Sequence, residues 1–206
     1  MFWNTSQPHG LPHSPFKSCI IPRPIGWIST LAADGTPNLA PYSFFNGVSD
    51  DPPMVMFASG GKGANSDFKD SVSNAEATGE FVCVMVGHAM LDAMNESSAG
   101  VAADVNEFEL AGLETAPAEL VKAPRVKGAA IHLECKYYDT IKLPGGSDGR
   151  TNRVCIGSVV GVHIDDAVLK DGIVDVSAFR PVARLGYMDY TTVDNIFTLL
   201  CPGQKG

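Results

Sequence analysis

Apolar positions in this chain come in short bursts broken by turn residues, without a sustained helical stripe. Segment 25–31 (IGWISTL) puts Ile25, Trp27 and Ser29 on one face of an extended strand and Gly26, Ile28 and Thr30 on the other. The turn Ala33-Asp34-Gly35-Thr36-Pro37 follows, and Asp-Gly between β-prone runs predicts a hairpin with segment 39–48. That second strand is expected to stop at Asp50-Asp51-Pro52-Pro53. Segments 54–58 (MVMFA) and 81–86 (FVCVMV) read as further strands. Segments 131–141 and 153–164 flank the turn-rich LPGGSDGRTN, and a hairpin is the simplest connection between them.

Helical signals are brief and fall between the strands. Ser73-x-x-Glu76 has capping-box spacing, Asp70 and Ser71 are equally suitable caps, and Gly79 is a natural stop. Residues 89–120, rich in Ala, Glu and Ser, predict one or two more helices, and 176–190 closes the ordered body. Six or more strands with helices inserted irregularly argue against a doubly wound parallel sheet. They predict a mainly β protein, an antiparallel barrel with inserted helices. The chain divides into an arm (1–18), a single domain (19–190) and a tail (191–206).

Composition narrows the partners. The 206 residues are 45% hydrophobic and 18% charged, enough for one real core. Twenty-one glycines and fourteen prolines favour short strands and many turns. With 15 basic and 23 acidic side chains the formal charge is −8, which gives neither nucleic acid nor an anionic membrane an electrostatic reason to bind. The N-terminus lacks a basic segment followed by an apolar one, so a soluble cytoplasmic protein is the expectation. Five cysteines form no CxxC pair, and five histidines show no HxxxH or HExxH spacing, so no metal site is expected.

Other chemical motifs exclude more than they assign. GGKGANS at 60–66 lacks phosphate-loop spacing, because Lys62 is followed by Gly63, and there is neither a GxGxxG turn nor a GxSxG elbow. A helix start near Lys69 and Ser71 offers free backbone N–H groups to an anion. His163 ends the run IGSVVGVHI on a face shared with Cys155, Gly157, Val159 and Gly161, whose small side chains leave room for something flat. The stretch APYSFFN packs aromatic faces, a hydroxyl and a carboxamide into consecutive positions 42–46, an unusual mixture for a core strand.

Several pieces in order resemble one family. Residues 20–59 carry Arg-Pro, a strand ending in Ser-Thr, Asp-Gly, Asn-Leu-Ala-Pro, Ser-Phe-Phe and Asp-Pro-Pro; FKDSVSNAEATGEFVCVMV follows at 68–86. With VNEFELAGL (105–113), IGSVVGVHI (156–164) and ARLGYMDY (183–190), the chain is similar to the flavin reductase-like, FMN-binding split-barrel family over most of residues 20–190.

The resemblance implies a split β-barrel of Greek-key type, a homodimer, and FMN (or FAD) lying beside the APYSFFN strand. Ser43 and Asn46 are then expected to hydrogen-bond the flavin, with Phe44, Phe45 and Ser59 shaping its pocket. Ser29, Thr30, Lys69, Asp70 and Ser71 take the places of the family's phosphate and ribityl contacts, with Arg23 adding charge. Trp27 and His163 are expected around the ring, His163 guiding the nicotinamide. The implied activity is NAD(P)H-dependent flavin or ferric reduction, with electrons passing to free flavin, ferric iron or a partner protein. A non-enzymatic FMN electron carrier is the alternative. Two departures stand out: Ser71 replaces a usual Thr, and Tyr187 stands where a second Gly is common.

Overall fold

In the computed structural model, which describes residues 1–60, 70–102, 105–145 and 151–203, seven strands form one antiparallel sheet. They are β1 (Gly26–Leu31), β2 (Pro37–Tyr42), β3 (Phe45–Asp50), β4 (Pro53–Gly60), β5 (Glu80–Met85), β6 (Ile131–Leu143) and β7 (Asn152–Ile164). Their order across the sheet is β2-β1-β5-β6-β7-β4-β3. The fold is mainly β, an antiparallel split barrel with helices inserted.

Both expected hairpins form, β1 with β2 and β6 with β7. Segment 39–48, however, is not one strand. It breaks at Ser43-Phe44, so β2 and β3 lie at opposite ends of the sheet order although only two residues join them. Pro37 and Pro41 suit β2 to an edge, since neither can donate to a second neighbouring strand. The split of the barrel therefore lies at the unusual APYSFFN stretch.

Alternation sorts the apolar side chains into two cores. Inside the barrel, Ile28, Tyr42, Phe45, Val55, Phe57, Phe81 and three reduced cysteines pack with Val72 and Ala75 of α1 (Asp70–Thr78). The rings of Tyr42, Phe57 and Phe81 run across this interior at centroid separations of 5.0 and 5.4 Å. Phe45 lies against Gly26, where an added Cβ would stand 2.3 Å from the ring. The room expected beside Gly157 is likewise filled by the protein itself: a Cβ there would meet the Phe81 ring at 2.4 Å.

On the outer face, Trp27, Leu39, Val82 and Val84 pack beneath α2 (Leu91–Glu96) and α3 (Glu107–Leu110). These are the helices anticipated within 89–120, but they are short. Segments Arg23–Pro24, Val182–Arg184 and Tyr190–Thr192 make a separate three-stranded sheet, so the C-terminal region extends the ordered body past residue 190.

Candidate functional site

The break between β2 and β3 opens a cleft of about 380 Å³. Its wall is β2 from Asn38 onward with Ser43 and Phe44. Asp70 and Ser71 of α1, Gly60 of β4 and the small residues Ser97 to Val101 complete it. Edge geometry leaves part of this wall unpaired. The Leu39 N–H points away from β1 to a Glu107 oxygen at 3.0 Å, so by alternation the Leu39 and Pro41 carbonyls share that outer edge.

A buried polar network fixes the junction of β2, α1 and α3. The Glu107 carboxylate accepts from Asn38 Nδ2 (2.9 Å) and the Leu39 N–H; Asn38 Oδ1 accepts from the hydroxyls of Ser71 (2.8 Å) and Thr30 (3.4 Å). Asn74 Nδ2 donates to Thr30 Oγ1. Burial raises the Glu107 pKa above the ordinary carboxylate value against these hydrogen bonds. Tyr42 presents a second polar group. Its buried hydroxyl sits beside those of Ser59 and Ser71 without a hydrogen bond of proper geometry, and burial pushes its pKa up to about 12.

The structure brings only some of the expected residues into this cleft. Ser43, Phe44, Asp70 and Ser71 line it, and Lys69 lies outside the described residues. Ser59 faces an adjoining apolar groove with Phe44, Val48, Met56, Val154 and Ile156. Thr30 and Ser29 are fully buried on opposite faces of β1: Thr30 holds the network together, while the Ser29 hydroxyl has no partner. Trp27 is also fully buried, contrary to a place around a ring. Its Nε1–H donates to Ser97 Oγ at 2.9 Å, which anchors the segment forming one cleft wall.

Three further expectations are displaced for clear physical reasons. Phe45 points into the barrel interior, because the bend at Ser43-Phe44 sends β3 across to β4. Asn46 is exposed and accepts the N–H of its own neighbour, Gly47. His163 lies at the far end of β7, eleven residues from Asn152, roughly 35 Å along the strand. There its Nε2 meets a Glu134 oxygen at 2.5 Å. Burial raises the Glu134 pKa, but donors from Glu119, Leu120 and His163 outweigh it and hold the carboxyl below its usual range.

Arg23 is committed to structure. It is 5% exposed and donates to the carbonyls of Lys17, Ile20 and Leu185, with Ser43 Oγ at 3.5 Å from Nε. The arm, the C-terminal loop and the β2–β3 bend thus meet at one guanidinium. Asn38, Glu107 and the 97–101 segment are the contributors that sequence reasoning missed. Asn38 stood in the quoted Asn-Leu-Ala-Pro, and Glu107 in VNEFELAGL, but neither sits within the APYSFFN stretch that drew attention.

Among the described residues no cluster of three or more potential metal ligands occurs, and no helix is long and apolar enough to cross a membrane. The cleft suits a planar, polar-edged molecule carrying an anion. An unpaired strand edge runs along its wall, and the first turn of a nine-residue helix and the Phe44 ring border it.

Comparison with known proteins agrees with this architecture. Nitrilotriacetate monooxygenase component B from Bacillus cereus superposes with a TM-score of 0.87 and 30% identity, over 97% of this chain and 98% of that one. Flavoredoxin of Desulfovibrio vulgaris (Miyazaki F) shares the fold, with a TM-score of 0.75 and 19% identity over 97% and 99% of the two chains. An uncharacterized protein of Aquifex aeolicus is 38% identical over 168 residues, 81% of this chain and 82% of that protein. The flavin reductase like domain matches residues 18–188, and this chain belongs to that family.

Proposed function

We propose that this protein binds FMN in the cleft at the β2–β3 break and acts as an NAD(P)H-dependent flavin reductase. The observation that carries the reading is the cleft itself: a strand edge with free carbonyls next to the start of α1, in a chain of the flavin reductase-like family. Bound FMN supplies hydride acceptance from a reduced nicotinamide and onward electron transfer.

The residues of this chain supply position. Backbone N–H groups of the first turn of α1 hold the phosphate, and the Ser71 hydroxyl, by donating to Asn38, ties that helix into the Glu107–Asn38 network that fixes it against β2. Ser43 and the β2 edge hold the polar side of the ring, and Phe44 supplies an apolar surface. His163 is in this chain too distant from the cleft to be its acid or base. Hydride transfer to a flavin needs alignment of donor and acceptor rather than a proton relay, so the cleft is chemically sufficient without it.

The apolar groove beside the cleft, of about 780 Å³ and bordered by Val48, Met56, Ile141, Leu143, Val154 and Ile156, is covered by a second copy of the chain in this reading. Light scattering after size exclusion reads that association directly, and a monomer at micromolar concentration would refute it.

The decisive experiment is an anaerobic absorbance spectrum of the FMN-loaded protein before and after NADH, then NADPH. Flavin bands that bleach within seconds with either nucleotide support the reductase and identify the donor. Bands that bleach only with dithionite assign the protein to electron carriage. A protein that takes up no added FMN overturns the site.

A further inference from the structure

A separate cleft lies at the open end of the β6–β7 hairpin, away from the flavin site. It holds about 520 Å³ between the ends of these two strands and the 125–130 segment. His132 and His163 both line it. They are direct partners across the β6–β7 ladder, so their side chains leave the same face of the sheet. Their rings stand 6.1 Å apart, centre to centre, at an interplanar angle of 89°.

Each imidazole has one nitrogen already assigned. His132 Nε2 lies 2.9 Å from the Val126 carbonyl, which can only accept, so Nε2 carries the proton. His163 Nε2 lies 2.5 Å from an oxygen of the fully buried Glu134 carboxylate, with the same consequence. In both neutral rings the lone pair is therefore on Nδ1. His132 is only 2% exposed, and its Nδ1 has no hydrogen-bond partner among the described residues. An N–H given to a carbonyl or a carboxylate is the arrangement that orients a histidine toward a metal on its other nitrogen.

Spacing and charge both suit a shared cation. A metal about 2 Å from an imidazole nitrogen stands about 3.2 Å from the ring centre. Two rings on one metal are then about 5.2 Å apart at the tetrahedral angle and at most about 6.4 Å apart. The observed 6.1 Å falls within that reach, and a closure of about 1 Å makes it tetrahedral. His163 is the more accessible ring, at 23% side-chain exposure, so the cation enters from its side. The charges nearest the pair are Arg125 against Glu134 and Asp165, because Lys127 is already paired with Glu114 at 2.5 Å. Two negative charges to one positive favour a dication.

We propose that His132 and His163 form a reversible site for a divalent transition metal of the zinc, nickel and copper class. Imidazole suits these ions, whereas magnesium and calcium demand oxygen ligands. Among the described residues no group of three potential ligands occurs, so water fills the remaining positions and the cation stays exchangeable. Its effect is mechanical. Glu134 also accepts the Glu119 and Leu120 N–H groups, and His132 holds the Val126 carbonyl, so a metal on the pair braces the 119–126 segment against the sheet. The site is independent of the flavin reading, and its test needs no flavin.

The test titrates the full chain, with its cysteines reduced, with Zn²⁺ by calorimetry. One ion binds per chain, and His163→Gln weakens it by at least about tenfold. Glu134→Gln keeps the shape but removes the charge behind His163, and weakens binding about tenfold. His88→Gln, at an exposed histidine outside the cleft, leaves it unchanged. Zn²⁺ raises the Tm of the wild type and not that of His163→Gln.

Imidazole ¹⁵N spectra of the wild type require no variant to fold. On adding Zn²⁺ the Nδ1 signals of both His132 and His163 shift, while each Nε2 keeps its proton. No Zn²⁺ binding by the wild type, or equal binding by either cleft variant, overturns the proposal. A spectral change at Nε2, or one confined to other histidines, overturns it as well.

Discussion

Glu107 offers the sharpest test of how the cleft is held together. Replacing it with alanine strips the acceptor from two buried donors, Asn38 Nδ2 and the Leu39 N–H, which lie 2.9 and 3.0 Å from its oxygens. Each stranded donor costs about 1–3 kcal/mol. The variant recovers part of that, because the carboxylate is itself disfavoured by burial. A net loss of about 2–3 kcal/mol follows, or roughly 5–10 °C in Tm for a chain of this size.

The effect carries a pH signature whose sign is fixed. The folded carboxyl has a raised pKa, so the folded state holds its proton more tightly than the unfolded chain. Glu107 is therefore least unfavourable near and below its unfolded value of 4.5, and its contribution declines as pH rises through the folded pKa. The stability gap between wild type and Glu107→Ala should accordingly be wider at pH 4.5 than at pH 8. Urea denaturation at both pH values measures it, with other carboxylates cancelling in the difference. FMN affinity should also fall about five- to tenfold as Asn38 and Ser71 lose their shared anchor. A loss under about 0.5 kcal/mol, or a gap that widens with rising pH, would refute the reasoning.

Three further outcomes are expected. Gly157→Val forces side-chain atoms into the Phe81 ring and the Cys135 Cβ, 2.4 and 3.3 Å from the first added carbon, and should cost about 1–3 kcal/mol or more by thermal denaturation. Arg23→Met leaves the carbonyls of Lys17, Ile20 and Leu185 without their donor, so limited proteolysis should cut the first twenty residues faster than in the wild type, with a stability loss of about 2–4 kcal/mol. His132, buried with Nε2 against the Val126 carbonyl, has its pKa pushed down to about 4. The unfolded chain takes that proton first, so His132 reduces stability as pH falls from 6.5 toward 4; an NMR titration showing its ring protonated at pH 6 would contradict the burial argument.

What was legible in the sequence follows what local physics can encode. Period-two alternation marked β1 and β7, an unbroken apolar run marked β5, and the Asp34-Gly35 and LPGGSDGRTN turns marked both hairpins, because these signals depend on neighbours in the chain. The start of α1 was legible for the same reason, since its caps and stop lie within one short segment. The break at Ser43-Phe44 was not. No Gly or Asp marks a turn within APYSFFN, and only closure of the sheet requires the chain to leave one edge there and join the other.

The candidate site divides along the same line. Ser43 and Phe44 were named because they stand in the APYSFFN stretch that the family resemblance places beside the flavin, and Asp70 and Ser71 because they sit at a visible helix start. Their partners were decided by tertiary structure alone: Glu107 reaches Asn38 across 69 positions, and Arg23 reaches Leu185 across 162. The space beside Gly157 belongs to Phe81, and Trp27 belongs to Ser97, because close packing assigns volume between segments that no local pattern relates. Sequence determined that there would be a barrel and roughly where its polar stretch would fall. Which side chains face the cleft was settled by barrel closure, which turns each strand's alternate residues inward or outward together.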